Sequence, residues 1–280
     1  CAAAKCLKAY RQLLELTGQY DFAWMHCHSP VGGALARMAA HKRGIPVIYT
    51  AHGFHFYKGA PIKNWLLYYP VEKFLARWTD ILITVNREDY RLAEKNMKAG
   101  RVFYIPGIGI DTERYQTKGY TDADDCMQEH MQDRVKDRVI DRMQFRAEHR
   151  IPEDAVILLS VGELSKRKNH RAVIAALASM RRKNVYYFIY GQGPLRGELR
   201  SYAKRLGIAG YVRMPGYEED MAHIYQNADI FVFPSKQEGM PAALMEAMAA
   251  GLPCAVSDIR GSRELIPGAR GVRFGLGYPG

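Results

Sequence analysis

The chain has 280 residues, 48% of them hydrophobic, and its 40 Lys+Arg against 29 Asp+Glu give a formal net charge of +11. That length suits about two domains of ordinary size, and no stretch approaches the roughly 20 apolar residues of a membrane-spanning helix. The basic balance fits phosphate-bearing substrates, nucleic acid or an anionic membrane surface, without choosing among them.

The five cysteines (Cys1, Cys6, Cys27, Cys126, Cys254) are scattered, with no Cys-x-x-Cys pair. This predicts a reducing, cytosolic compartment. No signal-peptide order opens the chain. The sequence starts inside a helix-like segment and stops at GVRFGLGYPG, just after a strand-like run, so a fragment cut at both ends is expected.

In chain order, the strand-like runs DFAWMHCHSP, IPVIYTAHG, DILITVN and RVFYIPG alternate with helix-like segments such as GALARMAAHKRG and REDYRLAEKNMKAG. A polar middle follows, and then AVILLSVG, NVYYFIYGQG, YVRMPG, ADIFVFPS and PCAVSD continue the alternation. Strands alternating with helices imply βαβ units and parallel sheets. The fold expected is α/β, with two doubly wound Rossmann-like domains: a truncated first domain over 1–115, a charged linker or helix over 116–150, and a truncated second domain over 151–280.

In the middle segment Arg134, Arg138, Arg142, Arg146 and Arg150 recur every four residues beside Val135, Val139 and Met143. This is an amphipathic, highly charged helix. Either it binds a polyanion or a membrane surface, or it is a solvated face in which Asp137 and Asp141 follow Arg134 and Arg138 by three residues; the solvated face is the expectation.

The stretch EGMPAALMEAMAAGLPCAVSD places two glutamates, Glu238 and Glu246, eight residues apart. Glu238 falls in the loop after the strand ADIFVFPS, where α/β folds bind ligands. Pro241 suits a first helical position, and Gly251 with Pro253 ends the helix. Glu246 is then near mid-helix, with Ala242, Ala243, Ala249 and Ala250 three and four residues away. A ligand diol could fill that clearing and donate to the carboxylate. Alternatively the alanines admit a close helix, with Glu246 paired to an arginine. In SVGELSKRKNH a glycine turn at Gly162 and the cations Lys166, Arg167 and Lys168 lie between a strand and a helix, a weak diphosphate signal by itself.

PSKQEGMPAALMEAMAAGLPCAVSD resembles the E-x7-E signature of family 4 glycosyltransferases, retaining enzymes of the GT-B fold, and VGELSKRKNH, YGQGPL and NADIFVFPS follow that family's order. Upstream, HCHSPVGGALARMAA, IYTAHGFHFYKGAP, LLYYPVEKFLARWTDILITVNREDY and YIPGIGIDTERY are similar to bacterial enzymes of capsule and exopolysaccharide assembly. The resemblance implies two Rossmann-like domains facing across a cleft, and transfer of a hexose from a nucleotide-diphosphate sugar, a UDP-sugar by expectation, to an acceptor hydroxyl.

It further implies that Glu238 lies by the donor sugar and phosphates, that Glu246 holds the ribose and that Lys168 binds the diphosphate. Gly239, Met240 and Pro241 would offer the loop facing the phosphates, Gly216 and Tyr217 would meet the nucleobase, and His52 would point toward the sugar. Family members commonly have an arginine where this chain has Glu163, which removes one expected cation. The nucleotide sugar is a co-substrate, and no cofactor or protein-bound metal is implied. His26, His28 and His55 make a metal site conceivable, although their spacing fits no standard pattern.

Two other readings share the architecture: a sugar-nucleotide 2-epimerase, and a non-catalytic sugar-nucleotide-binding protein. Nucleic acid is not an expected partner, because neither a stacking motif nor a zinc pattern accompanies the charge. The acceptor implied is a sugar or lipid-linked sugar. Phe56, Tyr57, Trp65, Leu66, Tyr68, Tyr69, Phe74 and Trp78, mixed with Lys58, Lys63, Lys73 and Arg77, suit the inner face of an anionic membrane, touched peripherally. Against this, any one of these aromatics is expected to pack inside the domain, because Pro70 interrupts a continuous amphipathic helix.

Overall fold

The computed structural model describes residues 2–116, 139–267 and 271–275. They fall into two compact units, 1–109 and 110–280.

In the first unit, strands β1 (Met25–Cys27), β2 (Val47–Ala51), β3 (Ile81–Thr84) and β4 (Arg101–Tyr104) form one parallel sheet in the order β1-β2-β3-β4. Helices α1 (Ala2–Gln19), α2 (Pro30–Arg43), α3 (Ile62–Leu75) and α4 (Arg87–Asn96) alternate with the strands. The Ser29 hydroxyl accepts from Gly32 N to start α2, and Asn86 accepts from Asp89 N to start α4, each satisfying a free helical N–H. Inside the unit, the buried Arg37 guanidinium donates to Glu72 at 2.9 Å and lies 4.1 Å from the Tyr49 ring centre. A charge out of water is tolerated because it is paired in this way.

In the second unit, β5 (Val156–Val161), β6 (Val185–Tyr190), β7 (Val212–Gly216), β8 (Ile230–Phe233), β9 (Cys254–Ser257) and β10 (Val272–Phe274) run parallel in the order β10-β9-β8-β5-β6-β7. Its helices are α5 (Thr112–Tyr115), α6 (described over 139–148), α7 (His170–Met180), α8 (Arg196–Arg205), α9 (Met221–Asn227), α10 (Ala242–Ala249) and α11 (Arg260–Leu265). Every residue of β6 is buried, which is why NVYYFIYG reads as a continuous apolar run. No helix among the described residues is long and apolar enough to cross a membrane.

The units divide at Gly109, not at 115. Tyr115 is buried in the second unit's core, its ring 5.8 Å from that of Tyr225. Nor is the described part of the charged helix a linker with a solvated arginine face. Phe145 is core, and Arg146 is buried, donating to Pro152 O at 2.6 Å and Ala155 O at 2.9 Å. Arg142 and Arg146, one turn apart, both pair with Asp229. Here the arginines face the protein, and Val139 and Met143 face solvent. Arg134, Val135, Asp137 and Arg138 lie outside the described residues.

Helix α3 corrects a further expectation, for it runs through Pro70 without a break. Phe56 is wholly buried, and Trp65 and Tyr69 pack against the same core. Tyr68 and Phe74 remain at the surface, beside Leu66, Leu67 and Val71.

Candidate functional site

The second sheet has a topological switch point between β5 and β8, since successive connections leave that pair in opposite directions. Ligands of open α/β sheets bind beyond the carboxyl ends of such strands. Two loops meet there. The one after β5 carries Gly162 to Asn169 into α7, and the one after β8 carries Pro234 to Pro241 into α10. Backbone ties hold them together: Lys236 N donates to Arg167 O at 2.8 Å, and Asn169 Nδ2 donates to Pro234 O at 3.2 Å.

Across this junction the Glu238 carboxylate receives Lys168 Nζ at 2.9 Å and Arg167 at 2.6 Å. Lys168 and Glu238 are each only 12% exposed at the side chain. Arg260, at the start of α11, donates through Nε to Glu238 O at 3.1 Å, and the Lys168 ammonium also lies 4.8 Å from the Phe233 ring centre. The expected loop of Gly239, Met240 and Pro241 follows directly. Pro241 is the N-cap of α10, one place earlier than its expected helical position, and Gly251 with a φ of 75° closes the helix.

Beneath the cations, Gly162, Gly191 and Gly216 end the neighbouring strands β5, β6 and β7 with φ of 147°, 137° and 120°. An L side chain rarely adopts that backbone. A Cβ on Gly191 would also stand 2.1 Å from Gly162 O, and one on Gly162 would stand 2.9 Å from Lys168 Cε. The strand ends therefore stay bare of side chains, which leaves a ligand room to approach them. Tyr217, just past Gly216, is 71% exposed.

Glu246 is half-buried on α10, and its Oε2 accepts from the Tyr225 hydroxyl at 2.8 Å. Burial and the Glu246 charge raise the Tyr225 pKa well above the usual phenol range, and raise that of Tyr115 as well. The alanine-flanked clearing is thus bounded by two phenols, and the Glu246 carboxylate engages Tyr225 where an arginine was the alternative.

Below the β5 loop a buried hydrogen-bond chain runs from α7. The Tyr187 hydroxyl donates to Ser160 Oγ at 2.8 Å, and Ser160 in turn donates to Val232 O. With its proton used, the Tyr187 oxygen accepts from His170 Nδ1 at 3.1 Å. His170 Nδ1 therefore carries a proton, and its buried Nε2 has no hydrogen-bond partner among the described residues.

His52 belongs to the other unit, directly beyond β2, and is exposed. Its Nε2 lies 3.1 Å from His28 Nδ1, the rings of His26 and His28 are 4.1 Å apart, and His26 Nε2 bonds Thr50 Oγ1 at 2.8 Å. One nitrogen of the His28–His52 pair must accept, so the two rings cannot both be imidazolium. Burial first and neighbouring imidazoles second lower the pKa values of His26 and His52. His55 turns to the Tyr68 ring, 4.6 Å away, and no group of three His, Cys, Asp or Glu among the described residues is arranged to hold a metal ion.

The structure thus brings Gly162, Lys168, Glu238 and the Gly239–Pro241 loop to one junction. Sequence reasoning did not foresee Arg167 as a Glu238 partner, nor Arg260, Tyr115 and Tyr225. The basic turn pointed to Arg167; no local pattern pointed to the tyrosines. Glu163 is exposed, 3.9 Å from Arg167, so the cation that faces Glu238 comes from four residues further on.

Residues 3–107 match the family described as the glycosyl transferase 4-like domain, and residues 141–272 match glycosyl transferases group 1. Over 266 residues the chain is 39% identical to EpsD of Bacillus subtilis, which is named as a glycosyltransferase; the match covers 93% of this chain and 65% of EpsD. It is 28% identical, over 94% of its length and 64% of the relative's, to the Escherichia coli UDP-Gal:α-D-GlcNAc-diphosphoundecaprenol α-1,3-galactosyltransferase. The chain thus spans just under two thirds of either relative. Among solved structures, Anabaena HepE in complex with UDP-glucose matches with a TM-score of 0.74 at 17% identity, over 96% of this chain and 68% of HepE. The lipopolysaccharide glycosyltransferase WaaG matches with a TM-score of 0.64 at 17% identity, over 97% of this chain and 82% of WaaG. These likenesses identify the GT-B fold.

Proposed function

This chain belongs to the glycosyl transferases group 1, family 4 glycosyltransferases of the GT-B fold, and on that premise we propose that it moves a hexose from a nucleotide-diphosphate sugar, a UDP-sugar, to an acceptor hydroxyl with retention of anomeric configuration. The acceptor is a sugar of a growing surface polysaccharide or glycolipid carried on lipid, reached from the cytoplasmic side.

The observation that carries the reading is the Lys168–Glu238 contact at the β5/β8 switch point, above three strands that end in bare glycines. A diphosphate laid there meets Lys168 and Arg167 beside strand ends that carry no side chain, and Glu246 on the neighbouring helix faces the ribose diol as acceptor. UDP-glucose bound to HepE and the UDP-galactose donor in the E. coli relative's name favour uridine.

In the reaction the bond from the sugar's anomeric carbon to the phosphate oxygen breaks, and the acceptor oxygen bonds to that carbon on the same face. The acceptor proton passes to the departing phosphate oxygen. Lys168 and Arg167 stabilise the charge that develops there, so the residues act by position and electrostatics. The reading needs no resident metal.

A thermal-shift panel of UDP, GDP and ADP tests the donor assignment, because a ligand of the folded state raises apparent stability. UDP should raise the melting temperature most, and indifference to all three would refute it. Glu246→Ala should weaken UDP binding by about 1–3 kcal/mol, the range for hydrogen bonds to a charged group, and Glu246→Gln by less because its amide oxygen still accepts. Isothermal calorimetry reads both; unchanged affinity in the alanine variant removes the ribose role.

A further inference from the structure

Helix α3 shows solvent a face of unusual composition. Ile62, Leu66, Pro70 and Phe74 recur every four residues along it, with Leu67 and Val71 beside them. Ile62 is 74% and Leu66 73% exposed, and Leu67, Val71 and Phe74 are exposed too. Residues four apart stand one above another, so these side chains form a continuous apolar ridge. Scattered exposed leucines need no explanation, but a contiguous patch does.

The charge on this helix has one sign where it meets water. Its single acid, Glu72, is buried against Arg37 on the inner face. Lys63 and Lys73 are exposed, and Arg77 follows in the next turn. The ridge then runs into a cavity. Phe74 packs edge-on to Trp78 at 4.8 Å, Trp78 stacks on His41 at 4.3 Å, and Arg77 lies 5.8 Å from the Phe74 ring centre. Arg77, Trp78, His41, Asp80 and Lys98 line a recess of 420 Å³. It opens at the amino ends of β2 and β3, opposite the end that carries His52. The Asp80 carboxylate is engaged by Val47 N at 2.7 Å, and two permanent cations, Arg77 and Lys98, line the recess beside it.

We propose that α3 and this recess form one surface that docks on an anionic phospholipid bilayer. The ridge enters the interface between headgroups and acyl chains, Lys63 and Lys73 engage the leaflet's negative surface, and Arg77 with Lys98 takes a headgroup phosphate into the recess. Apolar burial and electrostatic attraction then add, as in other interfacial helices. A second copy of the chain fits the face less well, because a two-fold contact through α3 would set Lys63, Lys73 and Arg77 against their own images. The inference rests on the lipid-linked acceptor reading for the presence of a bilayer, and on the residues of α3 and the recess for the place of contact.

Co-sedimentation of the whole chain with phosphatidylcholine vesicles, with and without phosphatidylglycerol, tests it. Binding should require the anionic lipid and fall with salt. Lys63→Gln, Lys73→Gln and Arg77→Gln together should lower partitioning by roughly 100-fold, Leu66→Ser with Leu67→Ser by about tenfold or more, and Lys98→Gln by about fivefold. Lys63, Leu66, Leu67, Lys73 and Arg77 are exposed on α3 or its extension and Lys98 is exposed at the recess, and melting curves check that each variant is folded. Indifference to anionic vesicles at low salt overturns the proposal, as does equal binding to neutral ones. A dimer in sedimentation velocity that the leucine pair dissolves, without vesicle binding, overturns it in favour of self-association. UDP affinity measured in the same variants should stay unchanged: loss of docking with UDP binding intact fails this surface alone, and docking without UDP binding fails the donor assignment alone.

Discussion

Replacing Lys168 by methionine is expected to weaken UDP binding by about 10- to 100-fold, the range for losing a hydrogen bond to a charged group, while uridine binding changes by no more than about twofold. The discrimination comes from geometry. Lys168 sits between the glycine-ended strands and Glu238, 2.9 Å from the carboxylate, so in the proposed donor pose it would serve the diphosphate and not the nucleoside. Methionine keeps the length of the chain and its contact with the Phe233 ring, so the fold should survive. It leaves Glu238 with Arg167 as its remaining side-chain cation at this junction, and the less neutralised carboxylate repels phosphate. Any sugar transfer should fall further, by about 10²- to 10³-fold, since the same ammonium faces charge that grows in the transition state. Calorimetry with UDP and uridine settles it: equal losses for both ligands would place the diphosphate elsewhere.

Acid should destabilise the protein through His170. Burial is the main cause that pushes its pKa down to about 4; the Lys168 charge adds to it and the Glu163 backbone opposes it. In the unfolded chain the same imidazole titrates near 6.5. Between those values the unfolded state binds a proton that the folded state does not. The contribution is therefore complete above about pH 6.5 and lost as pH falls toward 4, up to about 3 kcal/mol. Taking the imidazolium out of water is the physical source of the cost, and the Glu163 backbone offsets only part of it. His170→Asn keeps a donor for Tyr187 and removes the titration. Urea unfolding at pH 7 and pH 4.5 should show a smaller loss of stability in this variant than in the parent chain, by about 2 kcal/mol or more. Identical losses would mean that His170 does not titrate in this window. The other histidines with lowered pKa values, His26, His52 and His149, contribute equally to both chains and cancel.

Much of the architecture was legible because parallel strands buried on both faces write themselves as short apolar runs with a glycine at the carboxyl end. The turn at Gly162 and the spacing of Glu238 and Glu246 likewise mark the site in one dimension. What escaped was partnership across elements. Tyr115 and Tyr225 reach Glu246 from helices 131 and 21 residues away in the chain, and no periodicity encodes that approach. Helix periodicity also tells which residues share a face without telling which face is inside. In α6 periodicity sets the arginines outward and Val139 and Met143 on the apolar side, but Arg142 and Arg146 turn inward because Asp229 and two carbonyls await them. In α3 the aromatics Trp65 and Tyr69 are core, whereas Tyr68 and Phe74 stay exposed along with Ile62, Leu66, Leu67 and Val71.

Asp229 has a mechanical role beyond anchoring α6. Its Oδ2 accepts from Ile157 N at 2.8 Å, and its own N–H donates to Ile157 O at 3.0 Å, so it pins β8 to β5 at their amino ends. Direct pairing between the strands covers just Leu158 with Ile230 and Leu159 with Phe231, a short ladder that could slide. A slip of one residue would turn every side chain of β8 to the opposite face and carry Glu238 out of reach of Lys168. The clasp at one end of the sheet thus gauges the gap between cation and carboxylate at the other, and α6, whose Arg142 and Arg146 hold Asp229, becomes part of the ruler.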